Sequence, residues 1–187
     1  MDALLNKEQG RELVLLARAT LQHRLAGGGK LQPPADPALN RHQAAFVTLK
    51  KQGKLRGCIG NLEPVGPLWA GVRDNAINAG FNDFRFSPLQ PEELSEVTVE
   101  VSVLTEPEVL DYIDAEDLLR KLRPGIDGVI ISDGFRQATF LPQVWLQLPN
   151  TEDFLNHLCQ KAGLARKSWR DKPLNIKVYQ VQEFYEE

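Results

Sequence analysis

Between Val97 and Thr105 the chain alternates valine with polar residues. Val97, Val99, Val101 and Val103 fall on one side of an extended backbone, and Thr98, Glu100 and Ser102 on the other. Few patterns restrict a fold more. A period-two strand with a single apolar face covers a core on one side only, which fits antiparallel pairing better than a parallel sheet buried on both faces. The neighbouring segments agree. Ala44–Lys50, the turn Lys51-Gln52-Gly53 and the return Lys54–Gly60 read as a hairpin. Val129-Ile130-Ile131 leads through Ser132-Asp133-Gly134 into Gln137–Leu141 as a second hairpin, and Leu174–Phe184 alternates as a last strand.

Helical signals lie between these strands. Asn6 caps a helix with Gln9 at its third position, and Leu13, Leu16, Ala17, Leu21 and Leu25 recur at helical spacing until Gly27-Gly28-Gly29 stops it near Ala26. Pro67 opens a second helix, with Leu68, Trp69, Val72, Ala76 and Ala79 inward and Arg73, Asn75 and Asn78 on its other face, ending near Gly80. Asp83–Leu89 reads as an ordered loop. Asp114 caps a short helix to Leu122. Asn150 or Thr151 starts another, whose Phe154, Leu155, Leu158, Cys159 and Ala162 face inward and whose end is capped by Gly163 and Leu164. Helices placed without a regular β-α-β rhythm give an α+β class, with antiparallel sheets and flanking helices.

The 187 residues are read as one folding unit. Lys+Arg 22 against Asp+Glu 25 leaves a net charge of −3, so no global positive field draws in nucleic acid or an anionic membrane. Leu13–Ala17, the longest aliphatic run, is far short of the roughly 20 residues of a membrane span. Asp2, Asn6, Lys7 and Glu8 interrupt any secretory pattern at the start. Cys58 and Cys159, the two cysteines, do not make a disulfide framework. The expectation is a cytoplasmic protein with both thiols free.

Most motif candidates fail on context. Gly27-Gly28-Gly29-Lys30 lacks the strand before it and the Ser or Thr after the lysine that a phosphate loop needs. His23, His42 and His157 form no metal-binding pattern, and His157 and Cys159 diverge by about 200° around one helix, so no metal site is assigned. There is no G-x-S-x-G elbow.

Leu55-Arg56-Gly57-Cys58-Ile59-Gly60 is the informative segment. On a regular strand Arg56, Cys58 and Gly60 share one face, which puts a guanidinium beside the thiol and favours the thiolate. Gly57 and Gly60 leave room for a ligand or another backbone to approach. The competing reading is a buried structural cysteine, the common fate of a lone thiol. Cys159 is read that way, among apolar neighbours. Glu100, on the side opposite the valines, is placed either against Arg56 or as a proton carrier for Cys58, with a solvated strand residue as the plain alternative. Asn75, Asp83 and Arg85 either rim the same site or pin a loop through a salt bridge and helix-end hydrogen bonds.

The hexapeptide Leu55–Gly60 is identical to the signature of the AMMECR family, whose prokaryotic members include the AmmeMemoRadiSam system protein A type. The resemblance continues through Asn75-Ala76, Phe81, Asp83-x-Arg85-Phe86-x-Pro88-Leu89, Glu100–Thr105, Asp127-Gly128-Val129, Thr139–Trp145, Phe154-Leu155 and Lys161–Leu164, covering nearly the whole chain. Phe84 departs from it, since many relatives carry proline there. The resemblance implies a single domain of two unequal subdomains around a cleft, with both chain ends in the larger and the signature turned toward the cleft. It implies no established reaction. Memo-like and radical SAM proteins are the partners it suggests, and iron–sulfur chemistry belongs to them, because this chain lacks the cysteines for a cluster; no cofactor is assigned.

Together these readings point to an enzyme or enzyme component that accepts a sizeable substrate, such as a peptide segment. Cys58 is its nucleophile, Arg56 and Glu100 assist, and Gly57, Gly60, Asn75, Asp83 and Arg85 contact the substrate. The alternative is a non-catalytic adaptor. An RNA-binding reading of Gly57-x-x-Gly60 between Lys54 and Arg56 fits poorly with an acidic chain and glycines on a strand.

Overall fold

The computed structural model describes residues 4–29 and 31–186. It is α+β, with two antiparallel four-stranded sheets, ordered β2-β1-β3-β8 and β4-β7-β5-β6. The chain divides into two compact units. One contains the chain up to Leu104 together with the stretch from Gln182 onward, and the other is Thr105–Val181.

In the first unit, helix α1 (Lys7–Leu25) starts at Asn6, whose side chain accepts from Gln9 N–H while Gln9 returns the bond to Asn6 N–H. Two donors left over by the helix start are thereby satisfied. At the other end Gly28 N–H reaches His23 C=O and Gly27, at φ +74°, makes the left-handed step that only glycine takes freely. The expected hairpin is present as β1 (Ala45–Lys51) and β2 (Lys54–Gly60), turned by Gln52 and Gly53, both at positive φ. Strand β3 (Val97–Leu104) pairs with β1 so that Val97, Val99, Val101 and Val103 stand opposite Lys51, Leu49, Val47 and Ala45. This face packs on Leu13, Val14, Ala17 and Leu21 of α1 and on Leu68, Val72 and Ala76 of α2 (Leu68–Ile77).

Helix α2 departs from expectation in two respects. Its α-helical part stops at Ile77 and continues as one wider π-helical turn, Asn78–Asn82, rather than running to Gly80. Arg73 and Asn75, read as lying on its outer face, are both buried. Asn75 Nδ2 donates to Ala45 C=O at 3.0 Å, tying the helix to the first residue of β1. The Asn75 amide is therefore spent on the scaffold, and its place as a substrate contact is corrected.

The second unit holds β4 (Glu108–Val109), α3 (Ala115–Lys121, capped by Asp114), β5 (Gly128–Asp133), β6 (Arg136–Phe140), α4 (Thr151–Lys161, capped by Asn150), the short α5 (Ser168–Asp171) and β7 (Asn175–Tyr179). Trp145 stacks on Phe154 at 3.7 Å in the middle of its core. Cys159 is fully buried there, and burial pushes its thiol pKa up, as expected of a structural cysteine. The single last strand expected over Leu174–Phe184 is two: β7 and β8 (Val181–Tyr185) belong to different sheets, separated at Gln180. The two strands meet with only Gln180 between them, so no turn signal in the sequence marks the break.

Replacing Asn6 by alanine removes the capping box and should lower stability by about 1 kcal/mol. The urea midpoint against wild type checks this, and an unchanged midpoint would mean the cap contributes nothing.

Candidate functional site

Three strands build the candidate site in register. Thr48 of β1 stands opposite Cys58 of β2 on one side and Glu100 of β3 on the other, so thiol, hydroxyl and carboxylate form one row on the face away from the valines. The Thr48 hydroxyl donates to Cys58 Sγ at 3.2 Å. Cys58 is half-buried, whereas Glu100 is 7% exposed and takes Lys50 Nζ at 2.6 Å. Glu100 is thus neutralised by Lys50, one step along β1, and not by Arg56 as one reading of the sequence had it. Tyr185 of β8 faces the same carboxylate; burial first, then its hydrogen bond to Glu183 and the charges of Glu183 and Glu100, push its hydroxyl well above the usual range.

Arg56 does not share the face of Cys58. The register slips between Leu49 and Lys50, where Gly57 opposes Leu49 but Leu55 opposes Lys50, so Arg56 is an extra, bulged residue. A bulge breaks the period-two alternation on which the shared-face expectation rested. The Arg56 guanidinium instead binds both carboxylate oxygens of Glu93, at 3.2 and 2.9 Å, and Ser87 C=O at 2.9 Å. That bidentate fork fastens the loop before β3 to the sheet. Its main bond holds Glu93 low: the Arg56 hydrogen bond, opposed by burial and aided by Gln90 N–H, the Arg56 charge and Lys51, brings the carboxyl from 4.5 down to about 2.

The cation beside the thiol is Arg85. Strand β2 is the edge of its sheet, and the N–H and C=O of Cys58 point outward, away from β1. Asp83 Oδ2 accepts the Cys58 N–H at 3.0 Å and Arg85 Nη2 donates to the Cys58 carbonyl at 3.1 Å, while Arg85 also forks onto Asp83 at 2.9 and 2.7 Å. Two side chains stand where a neighbouring strand would be, closing the edge at this residue. An outward-facing backbone makes Thr48 and Cys58 a non-hydrogen-bonded pair, the kind whose side chains approach closest. Asp83 is almost fully buried, and the Arg85 hydrogen bond, against burial and with help from Cys58 and Arg85 N–H, drives its carboxyl far below the usual range. Arg85 is held above its ordinary value, first by that bond, against burial, and also by the charge of Asp83.

The two glycines have different tasks. A Cβ on Gly57 would stand 2.1 Å from Ala79 C=O, in the π-helical turn, so Gly57 is where one backbone lies directly on another. At Gly60 the Phe46 ring occupies the place of the missing side chain. Neither gap is left for a ligand. The π turn that presses on Gly57 also delivers Asp83 to the strand edge. Thr48, Lys50 and Glu93 were missed from the sequence; parity puts Thr48 and Lys50 on the polar side of β1, but only the register shows which strand residues they meet. Among the described residues no three His, Cys, Asp or Glu side chains gather as a metal site, and no helix is long and apolar enough to cross a membrane.

The AMMECR1 family model matches residues 14–184. The chain belongs to the AMMECR1 family. This AMMECR1 chain is 40% identical to a protein of Methanothermobacter thermautotrophicus over 99% of its own length and 98% of the relative's. It is 40% identical to one from Thermofilum pendens, covering 97% and 92% of the two chains. The crystal structure of uncharacterized protein PH0010 from Pyrococcus horikoshii superposes with a TM-score of 0.89 at 36% identity, covering 98% of this chain and 94% of that one.

Gly57→Ala forces a methyl group against a backbone carbonyl and should destabilise the AMMECR1 chain by about 1–3 kcal/mol, whereas Gly66→Ala, where a Cβ meets open space, should be close to neutral; paired urea melts distinguish them. Glu93 supplies a pH signature. Its folded pKa lies below the unfolded one, so its stabilisation is complete above 4.5 and is lost as pH falls through about 2. Glu93→Gln should therefore be less stable than wild type at neutral pH, and the gap should narrow as the pH approaches 2, measured as the difference in thermal midpoint.

Proposed function

We propose that this AMMECR1-family protein presents Cys58 as a reactive thiol on the polar face of its first sheet, to a sizeable substrate such as a peptide segment. The observation that carries the proposal is the hydrogen bond from Thr48 to a half-buried Sγ whose own backbone is clamped from both ends. The thiolate is the nucleophilic form of cysteine, and Thr48 on the sulfur with Arg85 on the same residue's carbonyl supplies a hydrogen-bond donor and a nearby cation. Clamping the peptide group fixes where the sulfur stands relative to the approaching electrophile. Arg85 takes the supporting part first given to Arg56, and Arg56 holds the loop that carries Asp83 and Arg85. Glu100, with its charge already met by Lys50, stands opposite Thr48 in the same row and is the candidate for proton transfer.

A second reading is favoured by one observation: Phe84, between the two clamp residues, is 95% exposed. An exposed aromatic between the clamp residues suits an adaptor that docks Memo-like or radical SAM partner proteins.

Alkylation by iodoacetamide across pH, read by peptide mass spectrometry, tests the thiol role. Cys58 should label at neutral pH faster than in the urea-unfolded chain, Cys159 should be spared until unfolding, and Thr48→Val and Arg85→Gln should each slow Cys58 by several-fold. Labelling of Cys58 no faster than in the unfolded chain removes the nucleophile. Retention of partner-dependent activity by Cys58→Ala, with loss of partner binding in Phe84→Ser, establishes the adaptor instead.

A further inference from the structure

Away from the Cys58 row, the C-terminal end of α1 and the side of α2 enclose a pocket of about 200 Å³, lined by Arg24, Arg73, Leu31, Ile77 and the Gly28-Gly29 backbone. Two guanidiniums border it and, among the described residues that line it, there is no carboxylate. Arg73 is only 9% exposed. Its Nε bonds Asp74 at 2.9 Å and its plane lies over Trp69 at 4.9 Å, but neither Nη atom has a hydrogen-bond partner among the described residues. Arg24 lies over Phe81 at 5.9 Å and has no carboxylate partner among them.

Aromatic faces hold the flat side of a guanidinium and leave its N–H edges free, which is how arginine is set up to take an oxyanion. The plainer explanation, that Arg24 complements the carbonyl end of α1, fits less well. The last-turn carbonyls of His23 and Arg24 already accept from Gly28 and Gly27, and no hydrogen bond runs from Arg24 to a carbonyl among the described residues. Arg73 sits on another helix altogether, and its Nη atoms, without a protein partner among the described residues and not among the buried polar atoms, stay accessible to an oxyanion entering the pocket.

We propose that this pocket binds a small organic anion, its carboxylate or phosphate group bridging Arg24 and Arg73 and its apolar body lying on Leu31 and Ile77. At about 200 Å³ the pocket is smaller than the roughly 300–1,000 Å³ usual for drug-sized ligands, which suits a compact acid. The His23 ring holds the loop in place: His23 Nδ1 contacts Gly29 C=O at 2.6 Å, and the ring fills the space a Cβ on Gly28 would need.

Calorimetric titration of the whole chain with butyrate, glycerol 3-phosphate or inorganic phosphate, against chloride at equal ionic strength, tests the site. A saturable signal with at least one oxyanion and none with chloride is expected, and the pattern among the three tells carboxylate from phosphate and shows whether the apolar body matters. Arg24→Gln, at an exposed position, should weaken binding by about tenfold or more while Arg24→Lys keeps part of it. Cys58→Ala should bind as wild type, because the pocket is independent of the thiol. Absence of saturable heat with all three anions at about 10 mM, or undiminished binding by Arg24→Gln, overturns the proposal.

Discussion

The clamp of Asp83 and Arg85 on the peptide group of Cys58 is the constraint around which the first unit is arranged. An edge strand leaves its outward N–H and C=O to water or to another chain. Here a buried carboxylate takes the one and a guanidinium the other, and the two side chains are bonded to each other. Charge-assisted bonds of this kind are about twice as strong as neutral ones. They also fix direction: with the Cys58 backbone held outward, its side chain has to lie beside Thr48 on the polar face.

Two local irregularities make that clamp reachable, and they depend on each other. The π turn after α2 widens the helix end so that Ala79 C=O rests on Gly57 and the chain then arrives at Asp83 beside the strand edge. The bulge at Arg56 turns that side chain out of the thiol row and onto Glu93 and Ser87, which holds down the loop running from Asp83 to β3. A straight strand would give Arg56 to Cys58 and leave this loop without its anchor. Bulges and π turns of this kind recur at functional sites for the same reason: each re-aims one side chain without disturbing the core.

Charge is partitioned accordingly. Three carboxylates around the row have cation partners: Glu100 has Lys50, Asp83 has Arg85, and Glu93 has Arg56 and Lys51. Arg24 and Arg73 differ in that both border a pocket with no carboxylate among its described lining, although Arg73 keeps Asp74 on its Nε.

Much of the fold was legible in the chain because local rules govern it. The Asn6-Gln9 box, the Gly27 stop, the Gln52-Gly53 turn, the caps at Asp114 and Asn150 and the valine face all express preferences of a residue and its near neighbours, and all appear where expected. The burial of Cys159 among apolar neighbours was equally readable. What the chain alone did not disclose were the facts that depend on pairing. Register decided that Thr48, not Arg56, touches the sulfur. The bulge decided that alternation fails at the residue where it mattered most. Burial of Asn75 and the split of the last strand between two sheets came from packing against partners distant in sequence. A side chain's period is a property of its own segment, but the neighbour it meets is set by how strands align, and one inserted residue in a sheet changes every contact that periodicity would assign.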